Sequence, residues 1–148
     1  MYTETLIYIQ AMAKKVSDYG KLTPPITLAD IYACVERLKG HVEEVDTLDV
    51  TSEGIVAKSE DDGFVIRLPK GMSNERKLLY TAKGIGYAFL HLNYPGPDNN
   101  NCTWLLMEPN SFFALDSEAS DQAFEFAHAL LQDGKSKYKF VDKRKESV

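Results

Sequence analysis

With 148 residues, 44% hydrophobic and 26% charged, the chain has the size and composition of one globular domain rather than a disordered segment. Its formal net charge of −5 speaks against a dominant nucleic-acid footprint, which is usually basic. No apolar run approaches the ~20 residues of a membrane span, and Met1–Gln10 carries Glu4 without a basic leader or a small-residue cleavage site, so a cytoplasmic protein with reduced Cys34 and Cys102 is expected.

Residues 2–19 read as a helix, with Leu6, Ile9, Ala13 and Val16 near helical spacing and Gly20 as its stop. Thr27 is the expected N-cap of a second helix. Asp30 stands three residues on, as in a capping box, and Leu28, Ile31, Val35 and Leu38 form the apolar face. Gly40 is the expected end of that helix. Three short strands follow, around His41–Asp46, Gly54–Lys58 and Phe64–Leu68. Asp61-Asp62-Gly63 supplies a hairpin-like turn between the last two.

Ser73 or Asn74 caps a third helix running to about Leu92, with Leu78, Leu79, Ala82, Ile85 and Phe89 on its apolar side. The run from Tyr94 through Pro95, Gly96, Pro97 and Asp98 to Asn101 is a loop. Cys102–Met107 reads as a short strand or a buried connector. Ser117–Leu131 is a fourth helix ending near Gly134. The order predicts an α+β fold, with helices packed on a small three-stranded antiparallel sheet. It forms one domain over residues 1–134. Lys135, Lys137, Lys139, Lys143, Arg144 and Lys145 mark residues 135–148 as a basic tail, expected to be solvated.

Two segments carry a resemblance. Ser73-Asn74-Glu75-Arg76 leads into a helix containing Ala82-Lys83-Gly84-Ile85-Gly86-Tyr87 and ending at His91. Gln122-Ala123-Phe124-Glu125-Phe126-Ala127-His128-Ala129-Leu130-Leu131 lies on the next helix. The first is similar to the ImmA/IrrE family pattern, in which an N-E-R start opens a helix reading A-H-E-L-G-H-x-L-L-H. The second is similar to the family's E-A-N-x-F-A-A-x-L-L. The resemblance spans roughly residues 27–133 and implies a zincin-like minimal fold.

In the family's chemistry, two His at i and i+4 on one helix face hold Zn²⁺. A neighbouring Glu acts as general base, and a Glu of the later helix completes the ligand set. In this chain the first His position holds Lys83, the general-base position Gly84, the second His position Tyr87 and the later Glu position Gln122. A lysine ammonium has no lone pair to donate, a tyrosine ligates only after losing its proton, and glycine is no base. No catalytic residue, metal or other cofactor is therefore expected. Two placements of Lys83 stay open. Its ammonium occupies part of the metal's volume beside Tyr87 and Gln122, or it snorkels along the helix to solvent. Gly86 is expected to permit close packing, whereas nothing in the pattern accounts for Gly84.

His91, Tyr94 and Trp104 are candidates for the border of the residual pocket, with core and lid as the plainer role for the two aromatics. His41, His91 and His128 have no ligand spacing. The resemblance implies a regulator of a phage or mobile element that binds a protein, for example a helix-turn-helix repressor, without cutting it. No added helix-turn-helix domain is expected after the second motif, and any effect on DNA is expected to pass through that partner. Two other readings remain. One is a non-zinc enzyme re-using the Lys83/Tyr87 pocket, and the other is a structural adaptor.

Overall fold

The computed structural model describes residues 3–23, 25–46, 54–58, 63–92, 94, 96–97 and 116–132. Their order is α1 (Thr3–Tyr19), α2 (Leu28–Arg37), β1 (Gly40–Val45), β2 (Ile55–Lys58), β3 (Phe64–Pro69), α3 (Asn74–Leu90) and α4 (Asp116–Gln132). The fold is α+β. The Asp61-Asp62 part of the expected turn, Cys102–Met107, Trp104 and the 135–148 tail lie outside the described residues.

Local chemistry sets the helix starts. Thr27 Oγ1 accepts from the Asp30 backbone at 3.1 Å, and Asp30 Oδ2 accepts from the Thr27 backbone at 2.9 Å, which closes a capping box on α2. Ser73 Oγ accepts from the Arg76 backbone and caps α3. The end of α2 differs from expectation. Lys39, at φ 64°, takes the left-handed position, and Gly40 opens β1 instead. Gly40 is needed there for space: a Cβ at that position would stand 2.5 Å from the Phe64 ring.

The sheet is mixed rather than antiparallel, with strand order β1-β3-β2. β2 pairs antiparallel with β3, from Ile55 opposite Arg67 to Lys58 opposite Phe64. β1 takes the other side of β3 and runs parallel to it, from Gly40 opposite Phe64 to Val45 opposite Pro69. A short connection across residues 59–63 suits the antiparallel pair. The link from β1 to β3 passes through β2, which leaves β1 free to pair in either direction. Strand patterning does not distinguish the two, because both leave side chains alternating between faces.

β3 is central, and Phe64, Ile66 and Leu68 alternate into the core. They meet Leu78, Leu79, Ala82, Ile85 and Phe89 of α3 within one cluster. α4 adds Ala123, Phe126, Ala127, Leu130 and Leu131, and α1 adds Ile9, Met12, Ala13 and Val16. α4 packs along both α3 and α1, while α2 lies against α3 and β1. Full burial of each large aliphatic or aromatic side chain contributes roughly 1.5–3 kcal/mol.

Tyr94 joins this core and is only 1% exposed. Its ring meets Phe64 and Phe89 edge-on, with centroids 5.0 and 5.2 Å apart. Its hydroxyl donates to the Leu38 carbonyl at 2.5 Å, tying the loop after α3 to the end of α2. Tyr94→Phe keeps the rings packed but leaves that buried carbonyl without its donor. A loss of ~1–3 kcal/mol is expected in urea unfolding. An unchanged midpoint would mean that water already serves the carbonyl.

Candidate functional site

One face of α3 alternates cations with rings. Arg76, Tyr80, Lys83, Tyr87 and His91 follow one another at intervals of three or four, so they stack along a single helical stripe. The Arg76 guanidinium sits 5.4 Å from the Tyr80 ring centroid. Lys83 Nζ lies 5.7 Å from the Tyr80 centroid, 5.8 Å from Tyr87 and 5.7 Å from Phe124 of α4. It also donates to Ser120 Oγ at 2.9 Å. Ser120 and Phe124 are one turn apart on α4 and therefore reach the same ammonium. The Tyr87 ring is shared with His91, at 6.0 Å, and the Phe124 ring with His128, at 5.5 Å.

Lys83 is only 6% exposed, so its stem and head are both covered. Stripping water from an ammonium costs several kcal/mol. Each ring face offsets ~0.5–2 kcal/mol of that, and a hydrogen bond made by a charged group contributes ~1.5–3 kcal/mol. Three rings and one hydroxyl together match the penalty in scale. The lysine does not snorkel to solvent.

Gly84 packs against the sheet. A Cβ there would stand 2.9 Å from Ile66 Cδ1, 3.0 Å from Cγ1 and 3.3 Å from Cγ2. The missing side chain is what lets α3 settle on β3, which supplies the packing reason the sequence pattern lacked. Gly86 does the same against Phe126, whose Cβ would be 3.0 Å from an added Cβ.

Tyr87 turns a ring face, half-buried, toward Lys83. Gln122 is 8% exposed, and its Oε1 meets no hydrogen-bond partner among the described residues. It therefore does not accept from Lys83. Gln122 stands two residues from both Ser120 and Phe124, which is ~200° around the helix. Ser120 holds the place expected of Gln122. His91 adjoins Tyr87 as the C-cap residue of α3.

Sequence reasoning missed Tyr80, Ser120 and Phe124. Tyr80 was within reach, since it stands three residues before Lys83 on the same helix. Ser120 and Phe124 depend on how α4 docks, and no local pattern announces that.

A second polar group joins α2, β1 and α3. Lys77, nearly buried, donates to Glu44. Tyr32 lies close by, and burial together with Glu44 pushes its hydroxyl up to about 12, against a weaker opposing pull from the Thr81 hydroxyl. The two hydroxyls interact without meeting hydrogen-bond geometry. Nearby on the sheet, Arg67 Nε donates to Glu43 at 3.0 Å. Cys34 is buried, and that burial pushes its thiol up to about 12. A thiol held protonated is neither a nucleophile nor a ligand.

The zinc implied by the resemblance does not fit this donor set. The first ligand position carries a buried ammonium, the base position is closed by Ile66, and Gln122 presents only a neutral amide. Among the described residues, no group of three His, Cys, Asp or Glu side chains is placed to hold a metal ion.

Burial holds the His91 imidazole below its ordinary pKa of 6.5. Well above pH 6.5 the ring is neutral in both folded and unfolded chains, so it takes nothing from stability. As pH falls through 6.5 the unfolded chain binds the proton first, and stability drops until the folded-state pKa is passed. Melting temperatures from pH 8 to pH 5 are expected to fall more steeply for the wild type than for His91→Gln. Parallel curves would assign the acid sensitivity to other groups.

Searches of family models, curated proteins and solved structures returned no match to this chain.

Proposed function

We propose that this chain works by binding a protein partner on a peptidase-like scaffold whose metal chemistry has been replaced, as a degenerate relative of the ImmA/IrrE family. The observation that carries the reading is Lys83. A fixed monocation, covered by three rings and a serine hydroxyl, stands at the residue aligned with the first zinc-binding His. Gly84 at the general-base position deepens the departure. The partner that fits the resemblance is a helix-turn-helix repressor, bound without cleavage, in the cytoplasm of a cell carrying a phage or mobile element. No helix among the described residues is long and apolar enough to cross a membrane.

One contact favours an enzyme instead. Lys83 Nζ and Ser120 Oγ, 2.9 Å apart, have the spacing of a lysine-activated serine. That chemistry needs a neutral amine to accept the serine proton, whereas three ring faces suit an ammonium. Binding is therefore the stronger reading, and a fluorophosphonate probe is expected to leave Ser120 unlabelled.

Two measurements test the proposal. Elemental analysis and calorimetry of untagged protein are expected to find neither bound zinc nor affinity for it. A helix-turn-helix repressor from the same mobile element is expected to co-elute with the protein and keep its intact mass. Stoichiometric zinc, or a cleaved repressor, refutes the reading.

A further inference from the structure

We infer that Tyr80, Tyr87 and Phe124 form a receptor for an alkylammonium group, which this chain closes with its own Lys83. Significant cation–π contacts occur about once per 70–80 residues, so three rings meeting one ammonium is a built feature rather than background. The centroid distances agree within 0.1 Å, from 5.7 to 5.8 Å, so the three rings stand equally far from the charge. Ser120 Oγ adds one acceptor for an N–H.

The rings come from two elements. Tyr80 and Tyr87 flank Lys83 on α3, at three residues before and four after, and Phe124 closes the side from α4. All three rings are half-buried, which places the box at the margin of the α3–α4 seam, open to a ligand once the lysine is removed. Lys83 is tethered beside the rings, so it outcompetes any free ammonium at ordinary concentrations. The ligand class is a primary to quaternary alkylammonium. A side-chain ammonium of a protein and a free amine share that chemistry.

The test uses Lys83→Ala, which removes the occupant and keeps the rings and Ser120. Methylammonium and tetramethylammonium chloride serve as probes, with sodium chloride and tert-butanol as controls for ionic strength and for size. Saturable binding in the millimolar range is expected for K83A, with chemical-shift changes confined to Tyr80, Tyr87, Phe124 and their neighbours. The wild type is expected to show none at the same concentrations. Adding Tyr87→Leu to K83A is expected to weaken binding at least tenfold. A folded K83A that does not saturate, or that takes tert-butanol equally well, overturns the inference.

A measurement on the wild type stands even if K83A does not fold. The ε-methylene protons of Lys83 are expected well upfield of their random-coil position, because three ring currents act on them. Random-coil shifts there overturn the box whatever the variant does. A protein-borne source is separated from a free amine by comparing a trimethyllysine peptide with tetramethylammonium on K83A. Both bind if the box reads the ammonium alone, and tighter binding of the peptide adds contacts beyond it.

Discussion

Gly84→Glu is expected to destabilise the protein by ~1–5 kcal/mol. The Cβ alone would stand 2.9–3.3 Å from three carbons of Ile66, and a branched side chain cannot turn all three away at once. Overpacking of this kind costs ~1–3 kcal/mol, and pressing a carboxylate between helix and sheet adds ~1–3 kcal/mol. Better helix propensity than glycine offsets about 1 kcal/mol at most. Against a typical total of ~5–15 kcal/mol, the loss is large. Urea unfolding reads it directly as a lowered midpoint, by on the order of 1–2 M. Gly84→Ala isolates the steric part. Its effect is expected to shrink when Ile66→Ala is added, because the two side chains compete for one space. A Gly84→Glu protein of wild-type stability would show that α3 can lift from β3 freely.

Lys83→Glu is expected to cost several kcal/mol, while Lys83→Met changes stability by no more than ~1 kcal/mol. The contrast follows from what surrounds the head group. Ring faces are electron-rich, so they attract an ammonium and repel a carboxylate. Glutamate would exchange three attractions for three repulsions inside a covered site. Methionine has similar length, loses the cation–π contacts and the bond to Ser120, and escapes the desolvation cost of a charge. Those two terms nearly cancel. Unfolding both variants at one salt concentration decides the matter. If Lys83→Glu matches Lys83→Met, the side chain spends its time in water and the box is not its home.

Much of the chain's local structure is written in short-range signals. The Thr27 to Asp30 capping box and the Ser73 cap stand in the structure where their residue types place them. The antiparallel β2–β3 pair was legible from the short segment between two apolar runs. The parallel β1–β3 pair was not, because nothing within Gly40–Val45 states which way its partner runs. Lys39, in place of glycine, in the left-handed position defeats the usual rule for reading a helix end.

The site divides along the same line. Tyr80, Lys83 and Tyr87 are one helix face, readable from spacing alone. Ser120 is 37 residues from Lys83, and only the docking of α4 on α3 brings it near. Gln122 was placed by analogy, and helical rotation puts it on a different flank from Ser120. Gly84 had no account in the pattern because its neighbour, Ile66, lies on a strand earlier in the chain.

The packing of α1 on α4 has a consequence in time. Ile9, Met12 and Val16 find their main partner in a helix that the ribosome makes roughly 110 residues later. At ~5–20 residues per second, α1 waits on the order of 10 s for α4 to be synthesised. During that interval the part of its apolar stripe that α4 covers stays open, and a nascent chain halted before Asp116 offers it to chaperones or to neighbouring chains. α1 is thus among the last of these elements to be secured, although it is made before the rest of them.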